Sequence, residues 1–421
     1  MSPRSRIIIV GAGFAGLRAA QTLARSQADV LVVDSNNYHT FFPLLYQVAA
    51  AELEPEDIIY PLRSIFRGKK HIRLLVDKVI GVDLEKRLVN TITQVLPYDF
   101  LVLALGSTPY FFGVEGASEF ALQLKTLEDA VAIRNHIILR FERALYETDP
   151  EKRQRMVTFA VIGGGPTGVE FSGALAELIR GPLSKDYSAL DFKEVRILLL
   201  EASDHILPAL PEQLQAYALK RLQKMGVEVH LGALVTRIEP ESITLKDGTV
   251  IPLETTIWTA GVHGAPPPQA TNLPILRNGQ VKVLPTLQFD GHLEVYIAGD
   301  LAYLEDNGHP LPMVALLAFE EGEMAAKNIL RQMKGQDPLP FHYLDLMTLA
   351  VIGRNAATVR LLGRNFTGFF AWLLWLSVHI YRLIGFRNRL LVLIDWAWDY
   401  LFFERGVRTI VPLPQEYKNK P

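Results

Sequence analysis

The chain has no cysteine among its 421 residues. This excludes disulfide exchange, thiolate catalysis, cysteine-ligated zinc and iron–sulfur clusters, because each of them needs a cysteine sulfur. The absence suits a cytoplasmic setting, and no metal site is predicted. An excess of basic charge is lacking too, since the formal net charge is −2. The charge balance therefore argues against nucleic acid as a partner.

The sequence also lacks a run long enough to suggest a membrane-spanning helix. The stretch 366–381 carries no Asp, Glu, Lys or Arg, but it covers only 16 residues. A helix needs about 20 predominantly apolar residues to cross a bilayer. No signal peptide is recognisable, because the chain begins almost at once with a strand-like apolar run.

The first pattern that is present joins a strand, a glycine-rich turn and a helix. The apolar run Ile7–Val10 predicts a buried parallel strand, and GAGFAG then places Gly11, Gly13 and Gly16 in the G-x-G-x-x-G spacing. In this motif the first glycine allows the turn, the second lets the backbone approach a pyrophosphate, and the third lets the helix pack on the strand. The helix N-terminus offers N–H groups to the phosphates.

A second apolar strand, Val30–Val33, ends in Asp34. An acid about 20 residues past the last glycine accepts the hydroxyls of a ribose. This order of strand, turn, helix, second strand and acid predicts a dinucleotide site. The alternative is a glycine-rich turn in an ordinary α/β domain.

The same motif occurs a second time. The run Thr158–Val161 leads into GGGPTG, where Gly163, Gly165 and Gly168 repeat the spacing, and a later strand ends in Glu201. The acid lies farther from the glycines than the usual ~20 residues, so residues 181–194 are interpreted as an inserted loop. A carboxylate at this strand end accepts a ribose 2′-OH and repels a 2′-phosphate, which predicts NADH rather than NADPH.

Two further apolar runs end in residues suited to a ligand. Residues 98–106 predict a strand that ends in Gly106, and residues 293–300 predict one that ends in Asp300. A small residue lets a ligand pass close to the backbone, and an acid just past a strand can accept ligand hydroxyls.

These motifs, with LALGSTP, WTAGV and IAGD, resemble the two-dinucleotide-binding-domain flavoproteins. Over nearly the whole chain the sequence resembles the type II NADH dehydrogenases, the single-subunit NADH:quinone oxidoreductases. The resemblance implies an α/β fold with two Rossmann-like, glutathione-reductase-like domains and a C-terminal amphipathic helical region. It places FAD in residues 1–115 and 284–338, NADH in the inserted residues 116–283, and membrane anchoring and dimerisation in residues 339–421.

The resemblance also assigns cofactor contacts to residues inside the quoted motifs. Beyond the motif glycines and the acids Asp34, Glu201 and Asp300, these contacts are Phe14, Ala15, Ala104, Gly106, Thr167, Gly261 and Ala315.

One departure from the family pattern precedes Gly322. The family commonly carries A-Q-x-A-x-Q there, lining the quinone site, whereas this chain has Leu316 and Glu320 at the glutamine positions. Leu316, Phe319 and Glu320 are the predicted quinone contacts, although Leu316 cannot hydrogen-bond a quinone carbonyl. In the family the acid matching Glu170 lies near the nicotinamide and the quinone. Glu170 and Glu320 are therefore the predicted catalytic acids; the alternative for each is an acid on a helix surface.

Aromatic residues crowd the C-terminal region, as they do at a membrane–water boundary: Trp372, Trp375, Tyr381, Trp396, Trp398 and Tyr400. Nearby arginines suit anionic headgroups. The pattern predicts a helical pair that lies on the membrane rather than across it; a dimer or core helix is the alternative. The expectation is a peripheral homodimer on the cytoplasmic face of the cell membrane.

The predicted reaction is the FAD-dependent oxidation of NADH by a membrane quinone of the ubiquinone, menaquinone or plastoquinone type. No set of polar residues within spanning helices is visible, so no proton pumping is expected. Disulfide reductases and sulfide:quinone oxidoreductases need redox cysteines and are excluded. Two alternatives stay open: a soluble NADH-dependent flavoprotein reductase of a ferredoxin- or rubredoxin-like carrier, and a non-catalytic flavoprotein resembling apoptosis-inducing factor.

Overall fold

The structure is a computed structural model that describes residues 4–267, 269–271, 273–306 and 308–412. Within these ranges the α-helices are α1 (Phe14–Leu23), α2 (Leu45–Ala49), α3 (Leu62–Ile65), α4 (Ala117–Phe120), α5 (Leu127–Ala144), α6 (Pro150–Met156), α7 (Pro166–Leu178), α8 (Ser184–Asp186), α9 (Glu212–Lys224), α10 (Ala315–Gln332), α11 (Phe369–Arg382) and α12 (Phe386–Phe402). Short 3₁₀ helices cover Phe42–Leu44, Pro55–Asp57 and Gly299–Leu301, and a π-helical turn covers Ile179–Leu183.

The strands are β1 (Arg6–Val10), β2 (Asp29–Asp34), β3 (Tyr38–Thr40), β4 (Ile59–Pro61), β5 (Ile72–Val76), β6 (Val79–Asp83), β7 (Leu88–Thr91), β8 (Val95–Pro97), β9 (Phe100–Leu103), β10 (Ser107–Pro109), β11 (Leu122–Gln123), β12 (Thr158–Ile162), β13 (Arg196–Leu200), β14 (Val227–His230), β15 (Val235–Glu239), β16 (Ser242–Leu245), β17 (Val250–Pro252), β18 (Thr255–Trp258), β19 (Val262–Gly264), β20 (Gln269–Thr271), β21 (Val281–Lys282), β22 (Gln288–Phe289), β23 (His292–Ile297), β24 (Ala302–Tyr303), β25 (Glu305–Asp306), β26 (His309–Pro310), β27 (Met347–Val351), β28 (Ala357–Leu361) and β29 (Arg364–Gly368).

The chain divides into two compact units. Unit 1 comprises Met1–Thr40, Ile59–Thr108 and Val262–Leu344, and unit 2 comprises Phe41–Ile58, Pro109–Gly261 and Asp345–Pro421. Each unit is built around its own sheet, as the repeated glycine motif predicts.

Unit 1 contains a six-stranded sheet in the order β22-β23-β9-β1-β2-β5. Strand β1 pairs in parallel with β2 on one side and with β9 on the other. Ile7, Ile8, Ile9 and Val10 are all buried, which explains why β1 is apolar at every position. The strand order reverses at β1, and in such sheets ligands bind at the carboxyl ends of the strands beside that point.

Unit 2 repeats this arrangement in a parallel sheet with the order β11-β18-β12-β13-β14. Strand β12 lies between β13 and β18, as β1 lies between β2 and β9. The antiparallel sheet β15-β16-β17 belongs to the same unit, and the sheet β27-β28-β29 leads directly into α11 and α12. The predicted C-terminal helical pair is therefore present.

The unit boundaries differ from the predicted domain boundaries. The units change at residues 108/109, 261/262 and 344/345 rather than at 115/116, 283/284 and 338/339, and residues 41–58 join unit 2. The reason is packing: α2 contacts both α5 and α7. Motifs locate ligand-binding turns, whereas a compact unit is defined by which segments pack together. The cofactor roles assigned to the predicted domains stay predictions.

The inserted segment 181–194 is only partly a loop. The π-helical turn Ile179–Leu183 runs on from α7 into α8, and the Tyr187 N–H donates to the Leu183 carbonyl at 2.9 Å. The interpretation of residues 181–186 as a loop was therefore wrong. Their residue types do not signal a helix, and a π-helical turn has no simple sequence pattern.

Candidate active site

The first glycine turn of unit 1 is closely packed at two positions and open at a third. Gly11 has a φ of +95°, and a Cβ there would overlap the Ala104 carbonyl. A Cβ on Gly16 would overlap the Gly11 carbonyl, whereas one on Gly13 would meet no atom within 4 Å. Gly11 and Gly16 therefore have structural reasons to be glycine, and the space over Gly13 is available to a ligand.

Asp34 lies beside this turn, at the end of β2. Its Oδ2 accepts a hydrogen bond from the Ala12 N–H at 2.6 Å, and its Oδ1 accepts one from the Asn36 N–H at 2.7 Å. Burial raises the pKa of Asp34, although both hydrogen bonds favour the carboxylate. His39 is buried, and its Nδ1 lies 2.9 Å from the Ala12 carbonyl oxygen. Asp34 and His39 thus hold the two successive peptide groups on either side of the Ala12 Cα in the turn.

The predicted strand-end residues of unit 1 are also near this turn. Gly299, the residue before Asp300, is close to α1, because a Cβ on it would lie 3.2 Å from the Ala15 Cβ. The Ser107 hydroxyl donates to Asp300 Oδ2 at 2.5 Å. Ser107 follows Gly106, so this hydrogen bond joins the two strand ends that the sequence singled out.

Helix α10 presents its predicted site residues on one half-buried face: Ala315, Leu316, Phe319 and Glu320. The Phe319 ring lies under the Arg18 guanidinium, with Arg18 Cζ 4.6 Å from the ring centroid. Two turns after Ala315, a Cβ at Gly322 would overlap the backbone of Ala15, so α10 approaches α1 closely.

Glu321 is a candidate residue that the sequence argument missed. It is 2% exposed, and its Oε2 accepts a hydrogen bond from the Gly299 N–H at 2.6 Å. Burial raises the pKa of Glu321 to about 8. The helical period was the available signal, because Glu321 follows Leu317 and Ala318 by four and three residues, and both are buried.

The glycine turn of unit 2 repeats the geometry of the first one. Gly163 has a φ of +109°, a Cβ on Gly168 would overlap the Gly163 carbonyl, and a Cβ on Gly165 would meet nothing within 4 Å. Gly165 is the N-cap of α7, and Thr167 is exposed in its first turn. Free backbone N–H groups at a helix N-terminus suit a phosphate.

Glu201 is engaged with the backbone of this turn. Its Oε2 accepts from the Gly164 N–H at 2.5 Å, and its Oε1 accepts from both the N–H and the hydroxyl of Ser203 at 2.8 Å. Gly261 follows β18 and leaves room for an aromatic ring, because a Cβ on it would lie 2.7 Å from the Phe112 ring.

Glu170 opens onto a cavity of about 450 Å³ in unit 2. Its Oε1 accepts hydrogen bonds from the Val351 N–H at 3.2 Å and from the Trp375 indole at 3.3 Å. Burial raises the pKa of Glu170 to about 8, although both hydrogen bonds act in the opposite direction. Glu170 is therefore not an ordinary acid on a helix surface.

The rest of the cavity is mostly aromatic and aliphatic, and its apolar lining comes chiefly from the C-terminal helices: Phe369, Trp372, Leu373, Leu376, Leu393 and Trp396. An apolar cavity with a few converging polar groups is typical of a small-molecule site. Glu170 belongs to unit 2 and Glu320 to unit 1.

Two known protein families match successive parts of this chain. The family described as pyridine nucleotide-disulphide oxidoreductase matches residues 5–322, and the NDH2 C-terminal domain matches residues 347–405. Two curated relatives from Mycobacterium tuberculosis, the type II NADH:quinone oxidoreductases Ndh and NdhA, are each 36% identical over 97% of this chain, covering 90% and 89% of their own lengths. The chain belongs to the type II NADH:quinone oxidoreductases.

Solved structures show the same fold. NDH2 from Plasmodium falciparum in complex with NADH matches with a TM-score of 0.89 at 19% identity, covering 97% of this chain and all of the other. The sulfide:quinone oxidoreductase from Aquifex aeolicus matches with a TM-score of 0.70 at 17% identity, covering 94% and 95%. The predicted family, α/β fold, enzyme class and cofactors, FAD and NADH, are confirmed at the level of the family.

No helix in the described ranges is both long and apolar enough to cross a bilayer. The individual site residues stay predictions, and so do the membrane contact and the homodimer.

Proposed function

We propose that the protein transfers a hydride from NADH to FAD and passes two electrons on to a membrane quinone, without pumping protons. The observation that carries this proposal is the indole-lined cavity beside Glu170, in a chain of the type II NADH:quinone oxidoreductase family. FAD, when bound, supplies the two-electron chemistry between donor and acceptor. The side chains of the protein bind and orient the cofactors and the quinone, and they hold protons.

The glycine turn of unit 1 fits FAD. The open space over Gly13 admits a pyrophosphate, and the positive φ of Gly11 brings the backbone round it. Asp34 and Asp300 are the proposed acceptors of ribose and ribityl hydroxyls. Gly16 and Ala104 complete the close packing beneath the turn.

The glycine turn of unit 2 fits NADH in the same way, with Gly165 and Thr167 at the pyrophosphate. Glu201 is the proposed acceptor of the adenosine ribose hydroxyls. Its carboxylate would repel the 2′-phosphate of NADPH, and this supports NADH as the substrate.

The quinone headgroup is proposed to reach the cavity beside Glu170, and Leu316, Phe319 and Glu320 are further proposed contacts. Quinone needs protons as it accepts electrons. Glu170 suits this task because its raised pKa keeps a proton on it near pH 7. Changing Glu170→Gln is expected to leave FAD bound and NADH oxidation intact while it slows quinone reduction at least tenfold. Exposed Glu212→Gln is the control, and normal quinone turnover in Glu170→Gln would remove the role of Glu170.

The exposed apolar faces of α11 and α12 support a membrane surface as partner. Phe370, Phe386, Leu401 and Phe402 are each more than half exposed. Helices of this kind bury their apolar face in the lipid interface. A peripheral homodimer on the cytoplasmic face of the cell membrane is part of the same proposal.

The decisive experiment is anaerobic. The purified yellow protein is mixed with NADH or NADPH, and flavin bleaching is recorded. We then add short-chain analogues of ubiquinone, menaquinone and plastoquinone one at a time. The absorbance of the oxidised flavin should return with at least one of them. In proteoliposomes, an internal pH indicator should record no proton translocation during turnover.

Other outcomes separate the alternatives. Bleaching that is reversed only by a ferredoxin- or rubredoxin-like carrier, in a protein that needs no detergent and ignores vesicles, would favour the soluble reductase. A flavoprotein that NADH does not drive to reduce quinone would favour the non-catalytic alternative. A colourless protein that FAD cannot reconstitute would overturn the proposal.

A further inference from the structure

The cavity beside Glu170 contains a second unusual carboxyl, Glu52. Helix α2 ends at Ala49, and Ala51 then adopts a φ of +55° although it is not glycine. Ala51 is fully buried, and the Glu52 N–H donates to the Gln47 carbonyl at 2.8 Å. A non-glycine residue in the left-handed region is strained and is kept only where the surroundings enforce it. This turn brings Glu52 to the wall of the cavity that Glu170 also lines.

Arg405 holds the Glu52 carboxyl in place. The Arg405 side chain is 1% exposed, and its Nη2 lies 2.6 Å from Glu52 Oε1 and 3.3 Å from Glu177 Oε2. Its Nη1 donates to the carbonyls of Ala50 and Ala174, both at 2.9 Å. The guanidinium is thus fixed from two chain segments, and Glu52 has little freedom to turn away.

The cavity wall itself holds more carboxyls than guanidiniums. Its lining has Arg354 and four carboxyls, Glu52, Glu170, Glu177 and Asp399, and Arg405 is paired with Glu52 and Glu177. Arg354 is paired with Asp399 at 3.0 Å, and its backbone N–H donates to Glu177 Oε1 at 2.5 Å. Buried charge without compensation is costly, so the neutral form is favoured for the carboxyls that lose most contact with water.

Glu52 and Glu170 are the two carboxyls that fit the neutral form. Burial raises the pKa of Glu52 to about 8; Arg405 opposes this rise, and Glu177 adds to it. The charge of Glu52 also raises the pKa of Glu170, so the two groups are coupled. The titratable and charged groups that act on Glu52 from the elements packed around it are Arg405, Glu177, Asp399 and Arg354, and Tyr46 and Glu170 share the cavity wall.

The proposed reaction consumes a proton, because NADH, one proton and quinone give NAD⁺ and quinol. We propose that Glu52, held by Arg405, reloads Glu170 with this proton between turnovers. Of the two hydrogens that quinone gains, one balances the hydride that NADH loses and the other is the proton of Glu170, whose O–H bond breaks as that quinol O–H bond forms. The Glu170 carboxylate then takes the proton of Glu52, and Glu52 takes one from solvent. Glu52 acts through Glu170 and is a positioning residue for the proton, and this role rests on the proposed function.

The test compares the first turnover with later turnovers in Glu52→Gln. At pH 7, stopped-flow absorbance of the holoenzyme should give a normal first reduction of a short-chain quinone, because Glu170, with a pKa of about 8, already carries its proton. Later turnovers should slow by roughly tenfold or more at pH 8.5 and much less at pH 6, where solvent protons are abundant. Glu52→Asp retains an acid and should restore much of the later rate.

Glu56→Gln is the matched control, because Glu56 is an exposed carboxylate four residues along the chain that does not line the cavity. Its turnover and the pH dependence of that turnover should stay those of the wild type. A purely structural Glu52 would instead give Glu52→Gln the same loss at every pH, in the first turnover as well as later ones, without rescue by aspartate. That result would overturn the inference.

Infrared pH-difference spectra of the resting enzyme give a readout that does not depend on turnover. Glu52→Gln should lose one protonated-carboxyl band that Glu170→Gln keeps. An unchanged Glu52→Gln spectrum would overturn the inference.

A second variant covers the case in which Glu52→Gln does not fold. Glu52→Asp must then shift the alkaline limb of the pH–rate profile for the later turnovers, and an unchanged limb overturns the inference. If the wild type reduces no quinone, the proposed function fails first; wild-type turnover with normal Glu52→Gln kinetics overturns the role of Glu52 alone.

Discussion

The indole Nε1 of Trp375 donates to Oε1 of Glu170 at 3.3 Å. This contact joins the first C-terminal helix, α11, to α7, the helix that begins at the second glycine turn. Trp375 is 1% exposed and stacks on His379, with their ring centroids 3.8 Å apart. A helix proposed to meet the membrane therefore also sets the environment of the proposed catalytic acid.

Replacing Trp375→Phe should move the pH dependence of quinone reduction. The indole N–H favours the charged form of Glu170, so its removal should raise the Glu170 pKa further. A hydrogen bond worth about 0.5–1.5 kcal/mol corresponds to a shift of roughly half a pH unit to one unit. The alkaline limb of the rate profile should move upward by that amount. Trp398→Phe, on the exposed part of α12, should leave the limb in place; equal profiles in both variants would contradict the prediction.

Gly13 and Gly165 occupy equivalent positions in the two glycine turns, so the same substitution can be compared at both. Neither Gly13→Ala nor Gly165→Ala introduces a clash, because a Cβ at either position meets no atom within 4 Å. Both variants should fold, with the new methyl group standing where a pyrophosphate is proposed. Gly13→Ala should lose FAD, measured as the flavin absorbance per protein. Gly165→Ala should stay yellow and show a KM for NADH raised about tenfold. Full flavin content in Gly13→Ala would remove FAD from this turn.

The lipid contact can be tested by charge on the exposed helix faces. Phe370 and Phe386 are 80% and 81% exposed, so Phe370→Glu and Phe386→Glu should cost little folding stability. Burying either carboxylate in a lipid interface is unfavourable, and each variant should bind phosphatidylcholine–phosphatidylglycerol vesicles much more weakly in flotation. Tyr146→Glu, equally exposed two residues after the end of α5, is the control. Undiminished flotation of both phenylalanine variants would place the contact elsewhere.

Glu321 should make the stability of the protein depend on pH. Its folded pKa of about 8 lies above the ordinary value of 4.5, so the folded state holds a proton that the unfolded state releases. Stability is then highest below pH ~4.5 for this group and falls as the pH rises toward 8, by at most ~1.4 kcal/mol per pH unit. Glu321→Gln should flatten this fall, measured by urea unfolding at pH 5.5, 7 and 8.5. An identical slope in the variant would show that Glu321 is not protonated in the folded state.

Much of the cofactor-binding framework was predictable from sequence because its requirements are local. Gly11 and Gly163 adopt positive φ values, and Gly16 and Gly168 leave no room for a Cβ. Such demands exclude other residue types at fixed spacing, so they appear in the sequence as a motif. The strands beside them are apolar because they are buried on both faces.

The proton-holding part of the candidate site was predictable only in part. Glu170 was identified through its place after the second glycine turn and the family resemblance, whereas Glu52 and Glu321 were missed. Glu52 meets Arg405, which is 353 positions away in the chain. No spacing rule connects residues so far apart, and the segment around Glu52 carries no motif.

The amino-acid sequence by itself determined the two glycine turns, the strands that lead into them and the acids that follow, because backbone geometry and the continuous burial of a central strand leave their mark on neighbouring residues. The tertiary structure alone decided which carboxyls lose contact with water and which guanidinium each one meets. Desolvation depends on everything packed around a group, and for Glu52 and Glu170 that surrounding comes from α2, α7, the sheet edge at Val351 and the C-terminal helices.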